Sequence, residues 1–323
     1  MRVVAKQLMA PGKGILATDA RSETMDKRMK AVGIEPTEET RRKFREILIT
    51  TPGIGEFLSG VILNEEVLRL APLAQDKSII VGIKVDLGVV DFGQAEKVTE
   101  GLEGLEGRLG EYKQMGAMFT KWRVVVNVGE GIPTAECLRE NAWGMAKYAS
   151  LSQQQGLVPI VEPEVLMEGG HKIEECERAT EQTLRAIFRE LHDKDVGLEE
   201  MLLKTNMVLP GSESGQEVDD EEMARRTMVV LKRVVPVGLA GVVFLSGGQE
   251  AKLATKRLNA ICKQQLPWRV SFSFERALEG PAMEVWGGKE ENVEKAQEIF
   301  LHRAKMNSLA SQGRYTLEME NEI

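Results

Sequence analysis

Cysteine is scarce in this sequence. Three cysteines, Cys137, Cys176 and Cys262, stand far apart in 323 residues. An odd, sparse set excludes a disulfide framework and points to a reducing, cytoplasmic setting in which each thiol is a small buried apolar group. Histidine is equally scarce. His171, His192 and His302 form no i, i+4 pair, so no metal and no cofactor is expected, and each is read as a solvated side chain. No segment approaches the ~20 apolar residues of a membrane span. The start, Met1-Arg2-Val3-Val4-Ala5-Lys6, lacks the apolar core and cleavage site of a leader, so no membrane partner is expected. Positive charge is not in excess either. With 42 Lys plus Arg against 50 Asp plus Glu, the net charge is −8, which repels a phosphate polymer and counts against nucleic acid. No G-x-G-x-x-G follows an apolar run, so a dinucleotide fingerprint is missing.

What the chain does have is short apolar runs at regular intervals. They cover 14–19, 59–64, 78–86, 118–127, 157–165, 201–208, 239–247 and 269–276. Each is continuous and bounded by polar or turn residues, as suits a strand buried on both faces. The stretches 134–155, 173–191, 217–235, 248–266 and 291–309 carry apolar residues at helical spacing. The first of these ends at Gly156; the third opens on Asp219, Asp220, Glu221 and Glu222 and stops before Pro236. Eight strand-like runs alternating with helices predict a single closed (β/α)8 barrel, with an open doubly wound sheet as the alternative. The echo at 101–110 reads as a helix start or loop, and the turn-rich 210–218 as a mobile loop on the catalytic face.

Charges lie inside these runs. Lys84 and Asp86, Lys121 and Arg123, Glu162 and Glu164, and Lys204 and Asn206 are each two residues apart. Side chains alternate across a strand, so each pair shares a face, and in a barrel with an apolar outer layer that face is the interior. Every pair sits near the C-terminal end of its run, where barrel enzymes carry their chemistry. One such pair is readily a structural ion pair. Four on consecutive runs are not, because an ionised group costs several kcal/mol to bury. A lysine crowded by cations and partly desolvated becomes a nucleophile toward a carbonyl, and neighbouring carboxylates can move its protons. Ser246-Gly247-Gly248, ahead of a helix, and Arg276, at the end of the eighth run, suit a phosphate.

The chain resembles the class I, metal-independent, Schiff-base fructose-1,6-bisphosphate aldolases. The resemblance runs from Ala10 to about Thr316 and is carried by APGKGILATD, GIKVD, FTKWRVV, GLVPIVEPE, LLKTNMV, FLSGGQ, SFSFERAL, WGGKEEN and NSLASQGRY. It implies a TIM barrel of one domain over 1–323, with 312–323 a flexible end, and a glycolytic carbon–carbon lyase acting on a sugar phosphate. By position in the motifs, Lys204 resembles the imine-forming lysine and Glu162 its acid/base. Lys121 and Asp19 resemble its partners, Asp19 placed for the hydroxyl proton of cleavage. Glu164 and Lys84 resemble supporting pocket residues and Arg123 a substrate-positioning cation. Ser246, Gly247 and Arg276 resemble phosphate clamps, and Arg28 another phosphate-side arginine. A cytoplasmic homo-oligomer, a tetramer, is implied as well.

Departures from the eukaryotic pattern are local. Ala20, Arg21, Ser22 and Glu23 replace a Glu and small hydroxyl residues after Asp19, which points to Arg21 for charge at the distal phosphate. Glu275 replaces the glycine before the clamp arginine, and Thr205 a proline after the imine lysine. Those relatives continue into a tail ending in a functional Tyr, whereas Tyr315 matches an earlier position.

Overall fold

The computed structural model describes every residue except Gln94, Glu322 and Ile323. Its strands are β1 (Gly14–Ala17), β2 (Leu58–Leu63), β3 (Ile80–Lys84), β4 (Gly88–Gly93), β5 (Glu96–Glu100), β6 (Phe119–Val126), β7 (Val158–Val165), β8 (Leu202–Thr205), β9 (Gly241–Phe244) and β10 (Val270–Phe274). Its α-helices are α1 (Arg2–Leu8), α2 (Ser22–Ala31), α3 (Glu38–Thr50), α4 (Ala71–Asp76), α5 (Leu105–Gln114), α6 (Ala135–Gln154), α7 (Ile173–Asp193), α8 (Asp220–Val234), α9 (Ala251–Cys262), α10 (Arg276–Trp286) and α11 (Val293–Ser311). The eight apolar runs become eight parallel strands closed in the order β1-β10-β9-β8-β7-β6-β3-β2. This is a (β/α)8 barrel. An antiparallel hairpin, β4–β5, is inserted after β3, and α5 occupies part of the 101–110 echo.

Helix ends follow local chemistry. Thr134 accepts from Cys137 N at 3.2 Å, Asp219 from Glu222 N at 2.7 Å and Glu250 from Leu253 N at 3.0 Å, each satisfying an orphan amide of a first turn. Capping by Asp219 and Glu250 explains why α8 and α9 each begin three residues later than the apolar pattern suggests.

The interior changes character along the barrel axis. Ile15, Ile62, Phe119, Val158, Ile160, Leu202 and Val243 form an apolar lower layer, closed at the N-terminal end by Ala5, Leu8 and Met9 of α1 and its cap. A large ring fills this layer because glycine leaves it room: a Cβ on Gly82 would lie 2.2 Å from the Phe119 ring. On the outer face, a Cβ on Gly14 would lie 2.4 Å from Phe272. Gly82→Ala should therefore destabilise the fold by about 1–3 kcal/mol through overpacking, read as a lower denaturation midpoint at unchanged slope. An unchanged midpoint would contradict this packing.

The C-terminal segment is docked as far as it is described. Tyr315 is buried and its hydroxyl donates to Glu320 Oε1 at 2.8 Å, while Arg303 Nη1 meets both Glu320 oxygens at 2.6 Å. Residues 322–323 lie outside the described residues.

Candidate active site

Period-two alternation converts the apolar lower layer into a charged upper one. On β6, Phe119, Lys121 and Arg123 face inward, whereas Trp122 stacks outward on Tyr148 of α6 at 5.4 Å. On β7 the inward series is Val158, Ile160, Glu162 and Glu164; on β8 it is Leu202 and Lys204. Parallel pairing of Ile160 with Leu202 carries on to set Glu162 level with Lys204. Asp19 follows β1. All eleven residues singled out in the sequence, from Asp19 and Arg28 to Arg276, line one cavity of about 380 Å³ at the C-terminal ends of the strands.

At its base the carboxylate of Glu162 lies between two ammonium groups, 2.8 Å from Lys204 Nζ and 2.8 Å from Lys121 Nζ. Lys121 also reaches Asp19 Oδ2 at 2.7 Å. These side chains are all nearly dry, with Lys121, Glu162 and Lys204 each only 4% exposed. Burial alone would neutralise Glu162, but Lys121, Lys204 and Arg123 outweigh it and hold the carboxyl down at about 2. Burial likewise opposes charge on Lys121, yet Asp19 and Glu162 keep its ammonium above the ordinary lysine value. Toward the mouth, Arg123 Nε meets Glu164 Oε2 at 2.6 Å, and Lys84 is paired with Asp86, whose other oxygen accepts from Arg123 N at 3.2 Å. Burial is the largest influence on Lys84 and lowers its pKa despite Asp86.

Ser246, Gly247 and Gly248 form a turn that precedes α9, with Gly247 and Gly248 at positive φ (+55° and +83°). A Cβ at Gly248 would come within 2.9 Å of Arg276 Nη2, so glycine lets that guanidinium lie over the turn.

Two expectations need correction. Asn206 does not share the interior face with Lys204. Strand β8 ends at Thr205, and Asn206 turns to accept from Val165 N at 3.0 Å and to donate to Thr180 of α7 at 3.2 Å. His171 and His302 are buried rather than solvated, and burial lowers the pKa of both. Arg28 lines the cavity and meets Glu275 at 2.9 Å and Glu279 at 3.2 Å. The cysteines behave as expected of apolar groups, burial pushing the thiols of Cys137 and Cys176 up to about 11 and that of Cys262 to about 12.

Two features carried no local sequence signal. Arg45 of α3 is fully buried and donates to the carbonyls of Thr18 at 2.8 Å and Ala20 at 2.9 Å, gripping the backbone on both sides of Asp19; Asn64 adds a donor to Ala20 O at 2.9 Å. It is a positioning residue for that aspartate. The second is Glu279. Burial and Glu275 push its carboxyl up to about 7 against Arg28 and Arg45. A carboxyl raised in the fold stabilises it as the protonated form, fully below about pH 4.5, and loses that contribution as the pH rises to about 7. Thermal midpoints should therefore fall between pH 5 and 7.5 on this account, by ~1–3 kcal/mol equivalent, and Glu279→Gln should flatten the slope. Parallel slopes for the two proteins would refute it.

Among the described residues no cluster of three or more His, Cys, Asp or Glu is placed to hold a metal, and no helix is long and apolar enough to cross a membrane.

The chain matches the family model described as "Fructose-bisphosphate aldolase class-I" over residues 1–323. It is 46% identical over 323 residues to the "Probable fructose-bisphosphate aldolase class 1" of Xanthomonas campestris pv. campestris, covering 96% of this chain and 97% of that protein. It is also 46% identical to the cytosolic fructose-bisphosphate aldolase 4 of Arabidopsis thaliana, covering 96% and 82%. Among solved structures, the fructose-bisphosphate aldolase of Plasmodium falciparum, determined with TRAP and a small-molecule inhibitor, superposes with a TM-score of 0.95 at 43% identity, covering 98% of this chain and 94% of that one.

Proposed function

The chain belongs to the class I fructose-bisphosphate aldolase family, and from that premise we propose that Lys204 is the amine that binds the substrate ketone as a Schiff base. The activity is the reversible cleavage of fructose 1,6-bisphosphate to glycerone phosphate and glyceraldehyde 3-phosphate. One observation carries the residue assignment: Glu162 touches both Lys204 and Lys121 at 2.8 Å in a dry pocket base.

In this reading Lys204 passes a proton to its surroundings and adds to C2 of the ketose. Glu162 is ionised while three cations hold it near 2. As Lys204 gives up its charge, one of those cations is gone and the carboxyl value rises, so Glu162, 2.8 Å away, takes the ammonium proton and then returns it to the departing hydroxyl of the neutral carbinolamine. Water leaves and the iminium forms. Asp19 then takes the C4 hydroxyl proton, the C3–C4 bond breaks, its electron pair moves into the iminium, and the aldehyde departs. The remaining enamine is protonated at C3 and hydrolysed. Lys121 stays between Asp19 and Glu162 and stabilises whichever of them is ionised at each step, and Arg123 with Glu164 lines the path to the mouth. Ser246, Gly247 and Arg276 receive a phosphate, and Arg28 is released to one only when it exchanges Glu275 for the incoming anion. Residues 1–323 act as one catalytic unit, in a cytoplasmic homotetramer. The cytosolic relatives support the compartment, and the family resemblance supports the assembly.

Borohydride reduction in the presence of glycerone phosphate tests the assignment. A stable adduct should map to the Lys204 peptide, with activity unaffected by a chelator. An adduct at Lys84 or Lys121, or none at all, would overturn it.

A further inference from the structure

We propose that Gln249 is a positioning residue for the reaction. It holds the peptide between Ser246 and Gly247 in the one orientation that aims the Gly247 amide at the substrate, and Arg257 and Asp220 hold Gln249. The inference rests on the reading of Lys204 as the imine lysine and of the Ser246 turn as the phosphate site beside it.

The turn needs such a hold. β9 is hydrogen-bonded to β8, with Val243 level with Lys204, so the turn after β9 lies beside the imine lysine, within reach of a phosphate one carbon from the ketone. Gly247 lines the cavity, and its N–H has no acceptor among the described residues. Turning this peptide over would rotate ψ of Ser246 and φ of Gly247. Gly247 stands at φ +55° and Gly248 at +83°, and glycine populates negative φ as readily, so the chain itself does not prevent the flip. One orientation offers an anion a donor. The other offers it a carbonyl oxygen, which repels it.

Three side chains in series select the donor. Ser246 O accepts from Gln249 N at 3.0 Å and again from Gln249 Nε2 at 2.8 Å. In a planar trans peptide the C=O and N–H point opposite ways. A carbonyl drawn back toward the start of α9 therefore turns the Gly247 N–H away from that helix, into the cavity. Gln249 does this only with its NH2 toward Ser246. Arg257 Nη1 donates to Gln249 Oε1 at 2.9 Å, and a guanidinium has no acceptor, so the reversed amide is excluded. Arg257 Nε in turn meets Asp220 Oδ1 at 3.2 Å, in the first turn of α8. Gln249 is buried and none of the three lines the cavity, so the series acts on substrate only through the turn.

The opposing reading is that Gln249 merely completes the end of a helix. Glu250 already caps α9 through Leu253 N, so that end is served without it. A purely structural glutamine, once replaced, would lower the thermal midpoint and weaken every ligand alike. A glutamine that aims one amide weakens only ligands that carry the phosphate.

Wild type, Gln249→Met, Gln249→Glu and Arg257→Met are compared by the second-order rate of borohydride inactivation with glycerone phosphate and with unphosphorylated glycerone. Gln249→Met keeps the volume without the donor. It should slow the reaction with glycerone phosphate about 5- to 50-fold, the range for a misdirected hydrogen bond to a charged group, and leave glycerone within about twofold. Gln249→Glu accepts from Arg257 but cannot donate to Ser246 O, and should fare no better. Arg257→Met leaves Asp220 its Lys256 partner at 2.8 Å and should give a smaller shift in the same direction. Equal losses with both ligands, or no loss with either, overturn the proposal; if the Gln249 variants do not fold, Arg257→Met decides by the same ratio. An adduct away from Lys204 in wild type, or none, would overturn the imine assignment. The KM for fructose 1,6-bisphosphate, raised about 5- to 50-fold in Gln249→Met with kcat within about threefold, would still decide Gln249.

Discussion

Lys204→Met should abolish fructose 1,6-bisphosphate cleavage, by a factor on the order of 10⁴ or more, because no other side chain can open the covalent route. The thioether side chain has similar volume and no charge. Glu162 keeps Lys121 at 2.8 Å as its counter-ion, so the anion is not stranded. The cost of breaking a buried pair from one side comes from the uncompensated charge left behind, and here Lys121 still compensates Glu162. The variant should thus fold, with a thermal midpoint close to wild type, and yield no reduced adduct after borohydride. Activity within a hundredfold of wild type, measured by coupled assay of triose phosphate release, would exclude Lys204 as the nucleophile.

Glu162→Gln should lower kcat by about 10²–10⁴, the contribution of a positioned acid/base, and should also destabilise the fold. The two effects have one origin. Lys121 would retain Asp19 at 2.7 Å, but Lys204 would lose its one carboxylate partner among the described residues and leave a buried ammonium without one. Breaking a buried pair from one side costs about 3–5 kcal/mol if the group stays charged. The pH dependence distinguishes this from simple loss of geometry. An uncompensated buried ammonium sheds its proton more easily, so the stability lost on mutation should shrink as the pH rises. A pH-independent loss, or a variant with wild-type kcat, would contradict the shared-carboxylate arrangement.

The barrel itself was legible because its strands are short, continuous and separated by helical stretches, and because Lys121, Glu162 and Lys204 interrupt apolar runs where burial forbids an unpaired charge. The hairpin β4–β5 was not, since Val89, Val90 and Phe92 sit beside the third run and are part exposed, leaving no clean alternation to mark a separate pair. α10 hid between the eighth run and the last helix, with Pro281 inside it. Asn206 obeyed the spacing of the charged pairs, but period two holds only while the backbone stays extended, and β8 stops one residue earlier. The neutralisation of Arg28 joins residues 247 and 251 positions apart, a relation no local pattern can carry. Arg45 reads in sequence as one more polar residue of an amphipathic helix. Its grip on Thr18 and Ala20 exists only once α3 packs beneath the β1 loop.

The stopper formed by α1 has a bearing on the order of events. With Ala5, Leu8 and Met9 sealing the floor, the barrel is a blind well with a single opening. Two products cannot leave by separate doors. In the proposed route the half of the sugar bonded to Lys204 stays covalently held after cleavage while the aldehyde is free, so the aldehyde clears first through the same opening. The plugged end of the barrel thus makes both products share one exit, set by residues that touch neither of them.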